Sequence, residues 1–177
     1  MDALGIADGG TVADLGAGGG WFTVHLAQRV GPNGLVYAQD IQSEMIEAIS
    51  RRVQNAGFGN VRTVMGTSTD PRLPPGIDVA VIVDAYREMD EPARPEQILT
   101  LFENVRRALK PQGRLGVVDF LPGDGGPGPA AADRINPEAV IKVAQAAGFQ
   151  LQSRQIIPPF QMMLVFNASP AGPKRLY

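Results

Sequence analysis

Asp14-Leu15-Gly16-Ala17-Gly18-Gly19-Gly20-Trp21 is the stretch that decides how this chain is interpreted, because it joins an apolar run to the first helical pattern. Residues 11–15 predict a buried strand, and Phe22, Leu26 and Val30 recur after the glycines at helical spacing. Glycines at such a junction let the backbone adopt positive φ and let a ligand approach the main chain. We therefore expect a ligand-binding loop here; the alternative is a tight strand-to-helix turn that has lost its ligand.

Short apolar runs separated by helical stripes fill the rest of the chain. Further strands are predicted at residues 35–38, 61–65, 79–83, 115–120, 149–151 and 162–166. The run at 79–83 is apolar throughout, which indicates a strand buried on both faces and hence a parallel sheet. Pro158 and Pro159 leave no room for a helix between the last two strands, which predicts an antiparallel hairpin. We predict an α/β fold: a doubly wound, Rossmann-like, seven-stranded and mostly parallel sheet with helices on both faces and an antiparallel C-terminal hairpin.

Three further helices are indicated by capping residues and apolar stripes. One begins at Ser43, a good N-cap, and ends before Gly57. Another carries an apolar stripe from Ile98 to Leu109, and a last one ends at Gly148.

Composition limits the class of protein. The chain has 177 residues, with 16 basic and 18 acidic side chains, no cysteine, and a single histidine, His25, which we interpret as a surface residue or a hydrogen-bonded residue of the first helix. No cysteine means no disulfide and no thiolate metal site, and a net charge of -2 provides no basic surface for nucleic acid. No apolar run approaches the roughly 20 residues of a membrane span, and the N-terminus lacks a signal pattern. We expect one cytoplasmic domain over 1–177 with no metal, no nucleic-acid partner and no membrane segment.

Two cofactor classes use a glycine loop of this kind. The dinucleotide fingerprint G-x-G-x-x-G, counted from Gly16, needs a small residue where Trp21 stands. The pattern D-x-G-x-G-x-G fits instead, and it is formed by Asp14, Gly16, Gly18 and Gly20.

This pattern resembles the first motif of the class I S-adenosylmethionine-dependent methyltransferases, and the resemblance extends from about residue 11 to 166. It is similar to the small-molecule type, such as the ubiquinone/menaquinone biosynthesis methyltransferase group. The resemblance implies S-adenosylmethionine as cofactor and S-adenosylhomocysteine as product. Asp40 ends the second strand, 20 residues beyond Gly20, where a carboxylate can accept both ribose hydroxyls of adenosine. Trp21 is then either a core residue or part of the wall around the methionine end of the cofactor.

The resemblance implies cofactor-binding residues in four loops: Asp14, Gly16, Ala17, Gly18, Gly20, Asp40, Ile41, Met45, Gly66, Thr67, Ser68 and Asp84. One of these loops departs from the family pattern. Thr67 stands where an acidic residue usually contacts the adenine amino group, although a hydroxyl can still accept a hydrogen bond. Asp70 precedes a proline and is expected to shape the turn.

The acceptor side is expected at the carboxyl ends of the fourth and fifth strands, with Tyr86, Arg87 and Asp119 as candidate catalytic residues. Asp119 could take a proton from the acceptor or cap the next loop. Many similar methyltransferases have histidine at the position of Arg87, which stays protonated and could instead bind an anionic acceptor. Residues 121–134 are expected to form a flexible loop, because seven of the nine residues at 121–129 are Gly or Pro. Residues 168–177 are expected to be a tail.

The function expected from the sequence is in-line methyl transfer to a small-molecule acceptor. A non-catalytic binding or regulatory protein of the same fold is the alternative, because Thr67 and Arg87 depart from the family pattern. The glycine motif also begins after about a dozen residues, whereas many relatives have helices before it; a partner chain in a homodimer could then close the pocket. A nicotinamide-dependent dehydrogenase is disfavoured by Trp21.

Overall fold

The computed structural model describes residues 1–123 and 125–168 of the chain. Seven strands form one sheet: β1 (Thr11–Leu15), β2 (Leu35–Asp40), β3 (Val61–Met65), β4 (Ile77–Val83), β5 (Leu109–Phe120), β6 (Phe149–Ile157) and β7 (Gln161–Ala168). Their order across the sheet is β3-β2-β1-β4-β5-β7-β6. Strands β1 to β5 are parallel, and β7 is antiparallel to both of its neighbours. The predicted fold class is confirmed.

The centre of the sheet is apolar on both faces. β4 lies between β1 and β5, and its adjacent residues Val81 and Ile82 are both fully buried, one in each of the two large hydrophobic clusters. Successive side chains of a strand point to opposite faces, so an uninterrupted apolar run requires a layer of helices on each side. This requirement explains why helices alternate with the strands.

Five helices supply those layers: α1 (Trp21–Val30), α2 (Ser43–Asn55), α3 (Tyr86–Met89), α4 (Pro95–Ala108) and α5 (Pro137–Ala146). Helices α1 and α2 cover one face, and α4 and α5 cover the other. On the second face Phe102, Phe149 and Phe166 form consecutive edge-to-face contacts with ring centroids 6.3 and 6.4 Å apart. Such a pair contributes about 0.5–1.5 kcal/mol beyond the burial of its surface.

Three boundaries differ from the sequence prediction. Ser43 is the first residue of α2 rather than its N-cap, which is Gln42, and the Ser43 hydroxyl donates to Glu44. Leu109 does not continue α4; it begins β5, where it pairs with Ile77. Ala168 belongs to β7 rather than to a tail, and residues 169–177 of the predicted tail lie outside the described residues.

The parallel strands end at one edge of the sheet and present several polar groups there. The glycine loop follows β1, and Asp40 is the last residue of β2. Asp84 follows β4, and Asp119 is the second-to-last residue of β5. This edge is where ligands bind in open α/β sheets. Within the described part of the chain, no helix has the length and apolar character needed to cross a membrane.

Candidate active site

The glycine loop between β1 and α1 adopts a conformation that depends on its glycines. Gly18 and Gly20 have φ of +51° and +76°, values that are costly for residues with a side chain. A Cβ on Gly20 would lie 3.2 Å from the Ile49 Cα of α2, so glycine permits close packing of α2 under the loop. A Cβ on Gly18 would meet nothing within 4 Å, because that side of the loop faces open space. The loop therefore packs on one side and leaves bare backbone on the other.

Three hydrogen bonds fix this loop to neighbouring elements. The Ala17 amide donates to the backbone carbonyl of Gln39 at 2.9 Å, and the Gly18 amide donates to the Asp40 carboxylate at 2.9 Å. From the other side, Arg52 of α2 donates through Nε to the Gly19 carbonyl at 2.7 Å. The loop is thus held by β2 and α2 together.

Asp40 is a buried carboxylate that is largely occupied by backbone amides. Its exposure is 6%, and besides Gly18 it accepts from the amides of Ile41 and Gln42 at 2.8 and 3.0 Å. A carboxylate has about four acceptor positions. One acceptor position, on Oδ2, therefore remains without a donor from the described residues; the predicted contact with ribose hydroxyls stays a prediction.

The Asp14 side chain lies in the protein interior, between β1 and α1, and not on the open side of the glycine loop. Its side chain is 2% exposed and accepts a hydrogen bond from the Thr23 hydroxyl of α1 at 2.6 Å. Burial raises the pKa of Asp14 to about 7; the bond from Thr23 lowers this pKa and the charge of Asp40 raises it. Asp14 thus fixes α1 against β1 from within the protein.

A cavity of ≈ 340 Å³ opens in front of the loop. Seven of the predicted cofactor residues line it: Gly16, Gly18, Asp40, Ile41, Met45, Thr67 and Ser68. The other five, Asp14, Ala17, Gly20, Gly66 and Asp84, do not. The volume is in the range of small-molecule sites.

Eight further residues line the cavity without having been predicted: Gln39, Gln42, Ala85, Glu88, Met89, Glu91, Gln97 and Leu101. Gln39 and Gln42 flank Asp40, so their position beside that acid was a usable signal. The others come from α3, α4 and their connections, and tertiary packing brings them to the cavity. Met89 reaches the loop itself, since a Cβ on Gly16 would lie 2.5 Å from its terminal methyl.

The loop after β3 is a hydrogen-bonded turn. The Thr67 hydroxyl accepts from the Asp70 amide at 3.0 Å, and the Asp70 carboxylate accepts from the Arg72 amide at 2.8 Å. Asp70 therefore shapes the turn, as predicted. The Thr67 hydroxyl is engaged in the same turn.

Carboxylates gather where β4 and β5 end. Asp84 has a φ of +52°, and its two carboxylate oxygens both accept from Nε2 of Gln161, at 2.9 and 3.0 Å. Burial raises the pKa of Asp84. Asp119 is 5% exposed and accepts from the Phe120 amide at 2.7 Å. Burial raises the pKa of Asp119 to about 6, the Phe120 bond lowers it, and the charges of Asp84 and Glu88 raise it. Asp119 is therefore mostly ionised at neutral pH despite its burial.

Comparison with known proteins decides the family. A family model described as a methyltransferase domain matches residues 12–113, which is more than half of the chain. The chain belongs to this methyltransferase family.

The names of two relatives of this methyltransferase domain say which kind of atom they methylate. It is 31% identical over 150 residues to the nocamycin O-methyltransferase of Saccharothrix syringae, covering 79% of this chain and 51% of that protein. It is 31% identical over 122 residues to the ubiquinone/menaquinone biosynthesis C-methyltransferase UbiE of Pasteurella multocida, covering 68% and 43%. The chain thus spans about half the length of these relatives.

A solved structure shares the fold of the methyltransferase domain. The crystal structure of a SAM-dependent methyltransferase from Aquifex aeolicus superposes with a TM-score of 0.86 at 24% identity, over 94% of this chain and 86% of that one.

S-adenosylmethionine is the cofactor of this methyltransferase family, and the cavity suits it. Gly18 offers bare backbone, Asp40 keeps one acceptor position for a hydroxyl, and Ile41 and Met45 provide apolar surface. The adenosine part of this cofactor has hydroxyls that need acceptors and a flat base that needs apolar surface, and bare backbone lets it approach closely.

The predicted catalytic residues of the methyltransferase domain lie outside the cavity wall. Tyr86 was expected to face the acceptor, but this is wrong: it is 1% exposed and packs on Phe102 in the core, with ring centroids 6.0 Å apart. Among the described residues its hydroxyl has no partner. Burial, and then the charge of Asp90, raise the pKa of Tyr86 well above its usual range. Tyr86 therefore has no phenolate at neutral pH.

Arg87 is not a free cation. Its guanidinium pairs with Asp133 at 2.5 Å, which joins α3 to the predicted flexible loop. The neighbouring Arg134 donates to four backbone carbonyls of the same loop, those of Leu121, Gly125, Pro127 and Pro129. The loop of the methyltransferase domain is thus arranged around one guanidinium.

Trp21 was expected to be either a core residue or part of the cavity wall, and it is neither. It is 64% exposed, absent from the core, and does not line the cavity. It makes an edge-to-face contact with His25, with ring centroids 4.7 Å apart, and His25 is exposed as predicted.

Proposed function

We propose that this chain binds S-adenosylmethionine in the ≈ 340 Å³ cavity and transfers its methyl group in line to a small-molecule acceptor. The observation that carries the proposal is the meeting of two distant motifs in one cavity wall. Gly18 and Asp40 are 22 positions apart and are joined by a hydrogen bond of 2.9 Å.

The protein's part in this chemistry is binding and orientation. The cofactor supplies a methyl group that is already activated on a sulfonium, so the acceptor needs alignment behind the methyl carbon and exclusion of water more than covalent help. The glycine loop is held by hydrogen bonds from β2 and α2 that involve no ligand. Preorganisation of this kind reduces the entropy lost on binding.

Asp119 is our candidate for removing a proton from the acceptor, where the acceptor must lose one. It lies at the carboxyl end of β5, and a pKa of about 6 suits a base that works near neutral pH. Because it does not line the cavity, we assign it to the acceptor side, next to Asp84, which also lies outside the cavity wall, and near Glu88, which lines it. These three carboxylates, together with the pairing of Arg87 to Asp133, disfavour an anionic acceptor.

A small molecule is the acceptor class that the relatives support. One is named for O-methylation of nocamycin and another for C-methylation in quinone biosynthesis. The two names differ in the atom that is methylated. We therefore propose only that the acceptor is a small molecule, and we do not assign the atom that receives the methyl group.

Calorimetric titration with S-adenosylmethionine tests the binding step. We expect saturable binding that is weakened in Asp40→Asn, because the replacement loses acceptor strength toward Gly18 and toward a hydroxyl. Asp8→Asn, an exposed aspartate outside the cavity, is the control and should bind normally. Absence of saturable binding at millimolar ligand would sink the proposal.

A non-catalytic protein of the same fold is the second candidate. It is favoured by the burial of Tyr86 and by the ion pair of Arg87, which remove two of the predicted catalytic groups. Formation of S-adenosylhomocysteine in the presence of any acceptor from a panel of phenols, quinols and amines would discard it.

A further inference from the structure

Gln39 is a buried side chain in the cavity wall whose polar groups are unused. It is 3% exposed and lines the cavity. Within residues 1–123 and 125–168 its carboxamide has no hydrogen-bond partner, although its backbone carbonyl accepts from Ala17. The carboxamide is not among the fully buried polar atoms without a partner, so it keeps access to the cavity. Its donor and acceptor are therefore available to a polar ligand there.

Gly66 makes room for this carboxamide. A Cβ on Gly66 would lie 2.5 Å from the Gln39 Nε2, so a side chain there would displace the amide. The Gly66 amide donates to the Asp40 carbonyl at 3.0 Å, which fixes the glycine next to the end of β2. The predicted role of Gly66 in cofactor binding is therefore better explained as indirect, through Gln39.

Thr67 does not compete for the same task. Its hydroxyl accepts from the amide of Asp70, and its own amide donates to the Asp70 carbonyl at 2.8 Å. In the family pattern an acidic residue at this position contacts the adenine amino group. The Thr67 hydroxyl does not take over that contact, because it is held in the turn. The Gln39 carboxamide, beside Gly66, is a polar group of the same cavity wall with no hydrogen bond among the described residues.

We propose that Gln39 binds the adenine ring of the cofactor through its carboxamide; this rests on the proposed function. A carboxamide presents a donor and an acceptor side by side, and the edge of adenine presents an amino donor next to a ring-nitrogen acceptor. Asp40 can only accept, so it suits a hydroxyl and not this edge. Ile41, Met45 and Leu101 supply apolar surface for the faces of a flat ring.

The test compares adenosine with purine riboside, which lacks the amino group, by calorimetric competition against S-adenosylhomocysteine. Wild-type protein should prefer adenosine by about fivefold, the value of one net hydrogen bond. Gln39→Leu should bind both nucleosides equally and bind S-adenosylhomocysteine about tenfold more weakly. It should unfold at a similar temperature, because the replacement has a similar size and removes no hydrogen bond between the described residues. Weaker binding without lost stability is not expected of a merely structural residue.

Gln42→Leu is the matched control, since Gln42 lines the same cavity from an exposed position. It should keep the preference for adenosine. The inference is overturned if Gln39→Leu keeps the preference or if Gln42→Leu abolishes it. Gln39→Met provides the same comparison if the leucine variant does not fold. If wild-type protein does not bind S-adenosylhomocysteine at millimolar concentration, both this inference and the proposed function fail; if it binds and Gln39→Leu behaves as wild type, only this inference fails.

Discussion

Arg52 of α2 donates a hydrogen bond through its Nε to the carbonyl of Gly19, at 2.7 Å. The bond crosses 33 positions of sequence and reaches the loop from the side opposite Asp40. Arg52 is exposed and makes no ion pair among the described residues, whereas its neighbour Arg51 pairs with Glu47 at 3.4 Å. Two adjacent arginines of equal charge thus have different structural roles.

We expect Arg52→Met to weaken S-adenosylmethionine binding by about fivefold, because the Gly19 peptide loses the charged donor that orients it. Arg51→Met removes the same charge one residue away and should leave affinity within about twofold, since its exposed pair contributes little. Calorimetric titration of the two variants measures the difference. Equal weakening in both would show that charge, and not the bond to Gly19, is responsible.

Substitution with arginine tests whether Gly18, unlike another glycine of positive φ, is needed for cofactor binding. Gly18→Arg should abolish cofactor binding, because its side chain would project from the bare face of the loop that lines the cavity. Gly9 also has positive φ and open space around it, but it is exposed and distant from the cavity wall. Gly9→Arg should therefore cost a similar ~1–2 kcal/mol of backbone strain and keep binding intact. Binding of ligand by Gly18→Arg with wild-type affinity would show that the loop is misassigned.

The buried carboxyl of Asp14 should make folding stability depend on pH. Its pKa is raised from 3.8 when unfolded to about 7 when folded. Below about pH 4 both states carry the proton, and between about 4 and 7 only the folded state keeps it, so stability falls as pH rises through this window. Asp119, with a pKa raised to about 6, acts in the same direction. We expect the melting temperature to decline from about pH 4 to about pH 7.

Two variants isolate the Asp14 contribution. Asp14→Asn cannot ionise, so its decline between about pH 4 and pH 7 should be shallower than that of the wild type. Thr23→Val removes the hydrogen bond that lowers the pKa of Asp14, so its decline should extend to higher pH. Thermal unfolding across this range measures both. A decline of the same size in Asp14→Asn would assign the effect to other groups.

Arg134 should control the order of the Gly/Pro-rich loop. Arg134→Met removes the donors to four loop carbonyls, so amide exchange in 121–134 should become at least about tenfold faster, about 1.4 kcal/mol of local stability. Arg87→Met is the control, because it removes the single ion pair to Asp133 and none of the carbonyl bonds. Hydrogen exchange read by mass spectrometry separates them. Equal acceleration in both variants would contradict a special role for Arg134.

The sheet was predictable because its signals are local. Apolar runs such as 79–83 report burial on both faces directly, and the two prolines before β7 leave only a hairpin as a connection. The helix start at Ser43 was missed by one residue, because the Asp40 carboxylate already holds the amides of Ile41 and Gln42. That contact depends on how β2 ends and not on capping propensity.

The cavity was only partly predictable for a related reason. Seven of the residues that line it were named in advance, because the family resemblance implies cofactor contacts in the loops after β1, β2 and β3. The orientation of Tyr86 depends on α3, a helix of four residues that is too short to show a period. Trp21 was assumed to be covered, but the first turn of α1 has little packed over it in the described part of the chain. Gln39 points away from Asp40 by strand alternation, which the sequence contained and we did not use.

The position of β7 between β5 and β6 has a consequence for how the chain assembles. β2, which carries Asp40, pairs only with β1 and β3, its neighbours in sequence, so these three strands can form their ladder before β4 joins β1 on the other side. β6, in contrast, has no ladder partner in the sheet until β7 forms between it and β5. The part of the sheet that carries the glycine loop and Asp40 can therefore be built from early contacts, while the part that carries Asp119 is completed only when β7 is in place.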